Sequence, residues 1–314
     1  MIGGKAAVYV NTMFSLLSEG KDVSSSEALA VVDSRNMLGE NALWCPREQV
    51  LWWFDVVSVV LWRFTPATGR VEQWPLPKRA GSFALRAARG LLFAFQKGFA
   101  TLEEAGGECI WRDVAGIAFG DERFNDGKVD RAGRFWAGTL DRNVARPIGQ
   151  LYRLGTDFQV TVMDRGFTVS NGIGWSPDDR VMYFTDTTAR RIYRYDFDLV
   201  SGQVANRRVF VEAAPGHGGP DGMTVDAEGY VWSAQFDRWC IHRYAPDGSL
   251  DRSIPMPVQR PTTCMFGGPD LATLYVTSAR VGLAADAEVT QPQAGNVFAL
   301  DVGVRGLPEA RFGA

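Results

Sequence analysis

Asp226–Ala234 reads DAEGYVWSA, a tight Asp/Gly turn running straight into a short aromatic and β-branched stretch. That order is strand–turn–strand grammar. The same unit recurs along the chain, as Val50–Asp55 (VLWWFD), Gly90–Phe95 (GLLFAF), Arg134–Gly138 (RFWAG), Val181–Asp186 (VMYFTD) and Thr273–Ser278 (TLYVTS). The preceding turns are CPREQ, RAAR, DRAG, SPDDR and GGPDLA. Anchored on Leu51, Leu91, Phe135, Met182, Val231 and Leu274, the units lie 40, 44, 47, 49 and 43 residues apart. Most are followed by another strand, such as Leu61–Phe64, Gln150–Leu154, Arg191–Asp198, Cys240–Gly248 and Asn296–Asp301. A period of this length with several strands per unit predicts an all-β, six-bladed β-propeller. Ala28–Asp33 precedes the first full unit and is placed to complete the last blade and close the ring, which removes exposed sheet edges. The competing architecture, a β-sandwich or two small β domains, conflicts with the regular spacing from Glu40 to Asp301. The expected division is an N-terminal extension over 1–27 and the propeller over 28–314.

Composition narrows the function. The 314 residues carry 33 Lys and Arg against 36 Asp and Glu, a net charge of −3. No block of like charge predicts binding to nucleic acid or an anionic membrane, and no apolar run is long enough to span a bilayer. Four cysteines without a CxxC pair are expected to be reduced thiols in a cytoplasmic protein. Two histidines exclude any site built on three imidazoles, and no GxSxG nucleophile elbow is present.

The first strand of each blade lines the channel of a propeller, so equivalent positions converge on one axis. Four residues before the end of each such strand stand Glu40, Ser82, Asn125, Asn171, Asp221 and Thr262, all polar. Two carboxylates facing one another are costly unless a cation lies between them. Glu40, Asp221 and the amide oxygen of Asn171 form an oxygen-only, doubly negative set suited to one divalent ion: Ca²⁺, Mg²⁺ or Mn²⁺, with Zn²⁺ and Fe²⁺ also in range. The alternative is a ring of strand-end caps without metal.

Long motifs follow in order: LGENALW (Leu38–Trp44), RFNDGKVDRAGRFWAGTL (Arg123–Leu140), SNGIGWSPD (Ser170–Asp178), YFTDT (Tyr183–Thr187), PDGMTVDAEGYVW (Pro220–Trp232) and TTCMFGG (Thr262–Gly268). In these the chain resembles the family of senescence marker protein (regucalcin), gluconolactonase and luciferin-regenerating enzyme, from about residue 36 to about residue 300. The resemblance implies a propeller with one channel metal, and hydrolysis of sugar lactones. It puts the metal ligands on Glu40, Asn171 and Asp221 and the substrate contacts on Arg123 and Asn125. Where the family carries a Glu after AGTM, this chain reads AGTLDRN, so Asn143 stands there with Asp141 as the nearby acid.

The expected function is metal-dependent opening of a pentono- or hexonolactone in carbohydrate catabolism, with Asp221 as the base that takes the proton of water. The alternatives are an organophosphate or aryl esterase on the same scaffold and a non-enzymatic calcium-binding propeller. Each residue has a structural competitor: an Arg123–Asp121 ion pair, an Asx turn at Asn125, a strand-end role for Asp186, and a solvated loop for His217. The expected partner is a small sugar lactone, and a closed ring is compatible with a monomer.

Overall fold

A computed structural model describes residues 27–105, 108–216 and 218–313. His217 and nearly all of the expected N-terminal extension lie outside these residues. Among the described residues, twenty-four strands, numbered in chain order, form six four-stranded antiparallel sheets. The first sheet sets the pattern. It is built from β2 (Gly39–Cys45), β3 (Val50–Asp55), β4 (Val60–Thr65) and β5 (Arg70–Pro75), paired in that order. Burial falls steadily along that order: β2 is almost wholly buried, whereas β5 alternates between exposed and half-buried residues. The innermost strands of the remaining sheets are β6 (Ala80–Leu85), β10 (Glu122–Val129), β14 (Ser170–Trp175), β18 (Gly219–Val225) and β22 (Pro261–Gly267). Five of the six repeat strands named from sequence coincide with, or lie within two residues of, the observed second strands; in Arg134–Gly138 the observed strand runs on to Asp141.

The sixth sheet closes the ring. It runs β22, β23 (Thr273–Ser278), β24 (Val297–Asp301) and then β1 (Leu29–Val32), so the first described strand is the outer strand of the last blade, as expected. Leu29 pairs with Ala299 and Ala30 with Phe298. The chain is a six-bladed β-propeller.

Two recurrent aspartates explain the repeat. In DRAGRFW, Asp130 accepts the N–H groups of Ala132 and Arg134 through Oδ1 and the indole of Trp136 through Oδ2 at 2.8 Å. Asp226 repeats this with Glu228, Tyr230 and Trp232. One carboxylate thereby closes the turn and pins the aromatic residue of the next strand. Aromatic pairs then lock blade to blade, with Trp44 stacked on Tyr275 (centroids 5.7 Å apart) and Phe54 edge-on to Phe83 (5.8 Å).

The C-terminal segment was assigned no task from sequence, yet it crosses one end of the channel. Ala227 N–H donates to Arg305 O, Gly306 N–H to Leu271 O, and Phe312 N–H to Leu85 O. Midway, Glu309 pairs at 3.0 Å with Lys128, whose ammonium also donates across the axis to Met223 O. Both partners are about nine-tenths buried. This end is therefore blocked by chain, and the opposite end is the mouth.

Candidate active site

All six innermost strands are bulged at the same depth. Pairing with the second strand is interrupted between Glu40 and Leu43, Ala80 and Ser82, Phe124 and Gly127, Asn171 and Ile173, Pro220 and Met223, and Pro261 and Cys264. A bulge opposes two residues to one and turns consecutive side chains off the normal alternation. Glycine makes this possible where the strands crowd. A Cβ at Gly172 would lie 2.6 Å from the Asp221 carbonyl oxygen, and one at Gly81 2.5 Å from that of Phe124. Asn41 occupies the bulge of β2 with φ +56, a left-handed conformation that Asn tolerates. Its amide oxygen accepts Phe83 N–H at 2.7 Å.

The bulges bring Glu40, Asn125, Asn171 and Asp221 together, as the register predicts, but they correct the other two ring positions. Thr262 turns into the wall, donating to Gly39 O at 2.5 Å and sharing a hydrogen bond with Thr277. Ser82 is fully buried against the third sheet, where a Cβ on Gly127 would meet its Oγ at 2.6 Å. Thr263 takes the place of Thr262, donating to Glu40 Oε2 at 2.8 Å, and the third blade adds Asp126 beside Asn125; neither residue is among the six ring positions read from sequence. Gly81 before Ser82 and Gly127 after Asp126 are the available signal on those blades, since Gly inside a strand marks a bulge or a close backbone approach; Thr262 and Thr263 carry none.

A relay of hydrogen bonds orients the amides. Arg123 Nη1 donates to Asn125 Oδ1 (3.1 Å) and to Phe124 O (2.8 Å). Asn125 Nδ2 donates to Asn171 Oδ1 and to Ser170 O, both at 2.9 Å. Asn171 Nδ2 donates to Thr187 Oγ1, which donates to Pro220 O, each at 2.7 Å. With both Asn125 N–H groups engaged, that side chain has only acceptor capacity left. Arg123 does not pair with Asp121, which is held by Arg146.

The acids are strongly perturbed. Burial, then the charge of Asp126, pushes Glu40 up to about 8, against hydrogen bonds from Thr263 and the Asn41 N–H. Burial, then Glu40 and Asp126, raises Asp221 well above the ordinary carboxylate range. Burial lifts Asp126 to about 6. Arg123 is pushed down to about 10 by burial and then by Arg79, with Glu40 opposing. Asp221 is 3% exposed, and its Oδ1 has no hydrogen-bond partner. Among the described residues no three His, Cys, Asp or Glu side chains are grouped closely enough to hold an ion by themselves. Two carboxylates, Glu40 and Asp221, stand here with the Asn171 carboxamide as the neighbouring oxygen.

Asn143 and Asp141 stand apart from this cluster. Asp141, at the end of β11 (Phe135–Asp141), is fully buried and accepts the N–H groups of Asn143, Ala145 and Arg146 together with the Arg146 guanidinium. Arg146 holds its carboxyl well below the usual range. Its oxygens organise a loop, so it does not stand in for a substrate-binding Glu. Asn143 is exposed on that same loop. Asp186 has the equivalent strand-end role, accepting Thr168, Val169 and Ala189 N–H. Cys45, Cys240 and Cys264 are free thiols, and no described helix is long and apolar enough to cross a membrane.

Residues 38–280 match the SMP-30/Gluconolactonase/LRE-like region. A 6-deoxy-6-sulfogluconolactonase of Pseudomonas putida is 41% identical, over 90% of this chain and 97% of its own length. A pentonolactonase of Haloferax volcanii is 39% identical, over 90% and 96%. The crystal structure of a calcium-binding regucalcin from Agrobacterium tumefaciens superposes with a TM-score of 0.87 at 29% identity, covering 92% of this chain and 98% of that one. The chain belongs to the SMP-30/gluconolactonase/LRE-like family.

Proposed function

We propose that this propeller hydrolyses an aldonolactone, a pentono- or hexonolactone, to the open sugar acid, with one divalent cation held by Glu40, Asn171 and Asp221. The observation that carries the reading is the repelling pair of carboxylates, part-buried Glu40 and buried Asp221, beside an oriented amide oxygen. The residues fit such an ion. Asp221 Oδ1 is buried without a partner, Glu40 is displaced to about 8 by burial and negative neighbours, and every donor is oxygen. Those oxygens accommodate Ca²⁺, Mg²⁺ or Mn²⁺, and also Zn²⁺ or Fe²⁺. When bound, the cation supplies Lewis-acid polarisation of the lactone and a lowered pKa for a coordinated water.

Hydrolysis forms one bond from the water oxygen to the lactone carbonyl carbon and breaks the bond from that carbon to the ring oxygen. Asp221 takes a proton from the water through its carboxylate and returns it to the departing ring oxygen, which leaves as a hydroxyl group. General-base assistance of this kind contributes about 10²–10⁴-fold. Arg123 donates through the N–H groups not engaged by Phe124 and Asn125, stabilising negative charge on the substrate oxygen. Asn125 accepts from a sugar hydroxyl through Oδ1, because its amide hydrogens are committed to Ser170 and Asn171. Asn143 reaches a hydroxyl further out from its loop.

Chelator-treated protein is expected to lose hydrolysis of arabinono-, xylono- and gluconolactone and to regain it when a divalent ion is returned. Glu40→Gln and Asp221→Asn lower kcat/KM by on the order of 10³-fold. Metal-free protein that opens lactones at the full rate refutes the reading. Faster turnover of a phosphotriester in the same assay assigns the site to ester chemistry at phosphorus.

A further inference from the structure

Arg79, Arg123 and Arg142 come from three separate segments and meet at one edge of the mouth, between the second and third blades. Arg79 immediately precedes β6. Two residues on, Gly81 is packed so tightly on the third blade that a Cβ there would lie 2.5 Å from Phe124 C and O. Arg79 therefore stands beside Arg123, the residue before Phe124. Arg142 follows β11, in which Leu140 pairs with Arg123 and Asp141 with Glu122. Arg142 is anchored there by its N–H to Asp121 O (3.0 Å) and its Nε to Glu122 O (3.3 Å).

Among the described residues none of these three guanidinium groups has a carboxylate within ion-pair distance, and the nearby acids are otherwise engaged. Asp121 and Asp141 are held by Arg146, Asp113 by Lys78, and Glu122 Oε2 accepts Gly120 N–H. Most arginines elsewhere on the molecule are paired, as in Arg63–Glu72 and Arg86–Glu103. Two further like charges face a half-buried Arg123, whose proton affinity is lowered first by burial, then by Arg79, with Arg142 adding and Glu40 opposing. Such an arrangement is unfavourable until an anion neutralises it, and guanidinium groups suit oxyanions because they donate through a planar fork.

Building on the lactonase reading, we infer that the substrate bears a second, fixed negative charge (a sulfonate, phosphate or carboxylate) away from its lactone carbonyl, and that Arg79 and Arg142, beside Arg123, form its subsite. The placement is consistent along the site. Glu40, Asn171 and Asp221 lie on the first, fourth and fifth blades, and the arginines lie on the second and third. Asn125 sits between them, touching both Arg123 and Asn171. A sugar lactone with its reacting end at Asp221 and its hydroxyls at Asn125 directs its far carbon toward Arg79 and Arg142.

Two measurements test this on the full-length protein loaded with Mn²⁺. The first compares kcat/KM for gluconolactone and its 6-sulfo, 6-phospho and 6-carboxylate counterparts in wild type, Arg79→Ala/Arg142→Ala and Arg79→Lys/Arg142→Lys. The second is calorimetric binding of the corresponding open acids. At least one anionic ligand is expected to exceed its neutral counterpart by on the order of tenfold, the scale of two partly exposed ion pairs. The anionic-to-neutral ratio should collapse toward one in the double Ala variant, survive largely in the double Lys variant, and shrink at high salt. The three anions distinguish the head group. Equal handling of neutral and anionic ligands, or an equal loss for both in the double Ala variant, overturns the inference. Neutral lactones opened without an anion preference leave the lactonase reading standing and refute the subsite. Arginine-dependent binding of the anionic acids without hydrolysis of any lactone does the reverse.

Discussion

Replacing Glu40 by Gln should make the metal-free protein more stable at alkaline pH while abolishing its metal response. Glu40 is raised from 4.5 to about 8 by burial and by Asp126. A folded-state pKa above the unfolded one means that the native chain binds more protons between those values, so stability falls as pH rises through that window. With about 1.4 kcal/mol for each tenfold change in acidity, the ionised form costs at most about 5 kcal/mol. Glu40 is partly exposed at the mouth, and solvent there reduces the figure to about 2–3 kcal/mol. Gln keeps the acceptor that Thr263 uses and carries no charge.

The assay is thermal unfolding of chelator-treated protein at pH 5, 6.5 and 8. Wild type should lose about 5 °C across the series, at about 2 °C per kcal/mol for a chain of this length, and Glu40→Gln should lose appreciably less. Added divalent cation should restore wild type, with the largest gain at pH 8, and leave the variant unmoved. A flat wild-type profile without metal, or a variant less stable than wild type at pH 8, refutes the assignment of Glu40 as a strained, ion-seeking carboxylate.

Thr263→Val removes a donor to the ionised form of Glu40, so the rising limb of the kcat/KM–pH profile should move upward by up to about one pH unit, read with a single lactone at constant metal. Gly172→Ala forces a methyl against Asp221 O and Met223 N, and is expected to destabilise by about 1–3 kcal/mol while lowering kcat/KM far more than stability alone explains; calorimetry and kinetics on one preparation separate the two. Lys128→Met and Glu309→Gln each strand a mostly buried charge and should each cost about 3–5 kcal/mol, whereas Lys128→Met/Glu309→Met costs less than the two together in denaturant unfolding.

The blade count, the closing strand and the four converging side chains were legible because they depend on period. A unit of 40 to 49 residues, each with its Asp/Gly turn, fixes the six sheets, and Asp130 and Asp226 show the turn carboxylate also holding the tryptophan of the next strand. What period does not encode is the bulge. Counting back four residues from each turn reaches the interruption in every innermost strand. The count lands on channel-facing residues at Glu40, Asn125, Asn171 and Asp221, and on wall residues at Ser82 and Thr262. On the sixth blade the next residue, Thr263, reaches Glu40 in place of Thr262, and on the third blade Asp126 joins the acids in addition to Asn125. The C-terminal crossing was illegible for a different reason. Residues 302–313 have no alternation and no repeat partner, and their hydrogen bonds reach three other blades.

The charges those unforeseen residues contribute change how the site works. Along the axis from mouth to blocked end the side chains alternate: Arg79, Arg123 and Arg142; then Glu40, Asp126 and Asp221; then Lys128; then Glu309. Lys128 lowers the pKa of Asp126, and Arg123 does the same for Glu40, so the acid cluster is flanked by cations that limit its self-repulsion without touching Asp221 Oδ1. A fold that needed only to cap its strand ends would have neutralised Asp221 with a donor, as it did Asp141 with Arg146 and three backbone N–H groups. The contrast between these two buried aspartates, one saturated with donors and one with an oxygen left bare, separates a structural carboxylate from one kept available for chemistry.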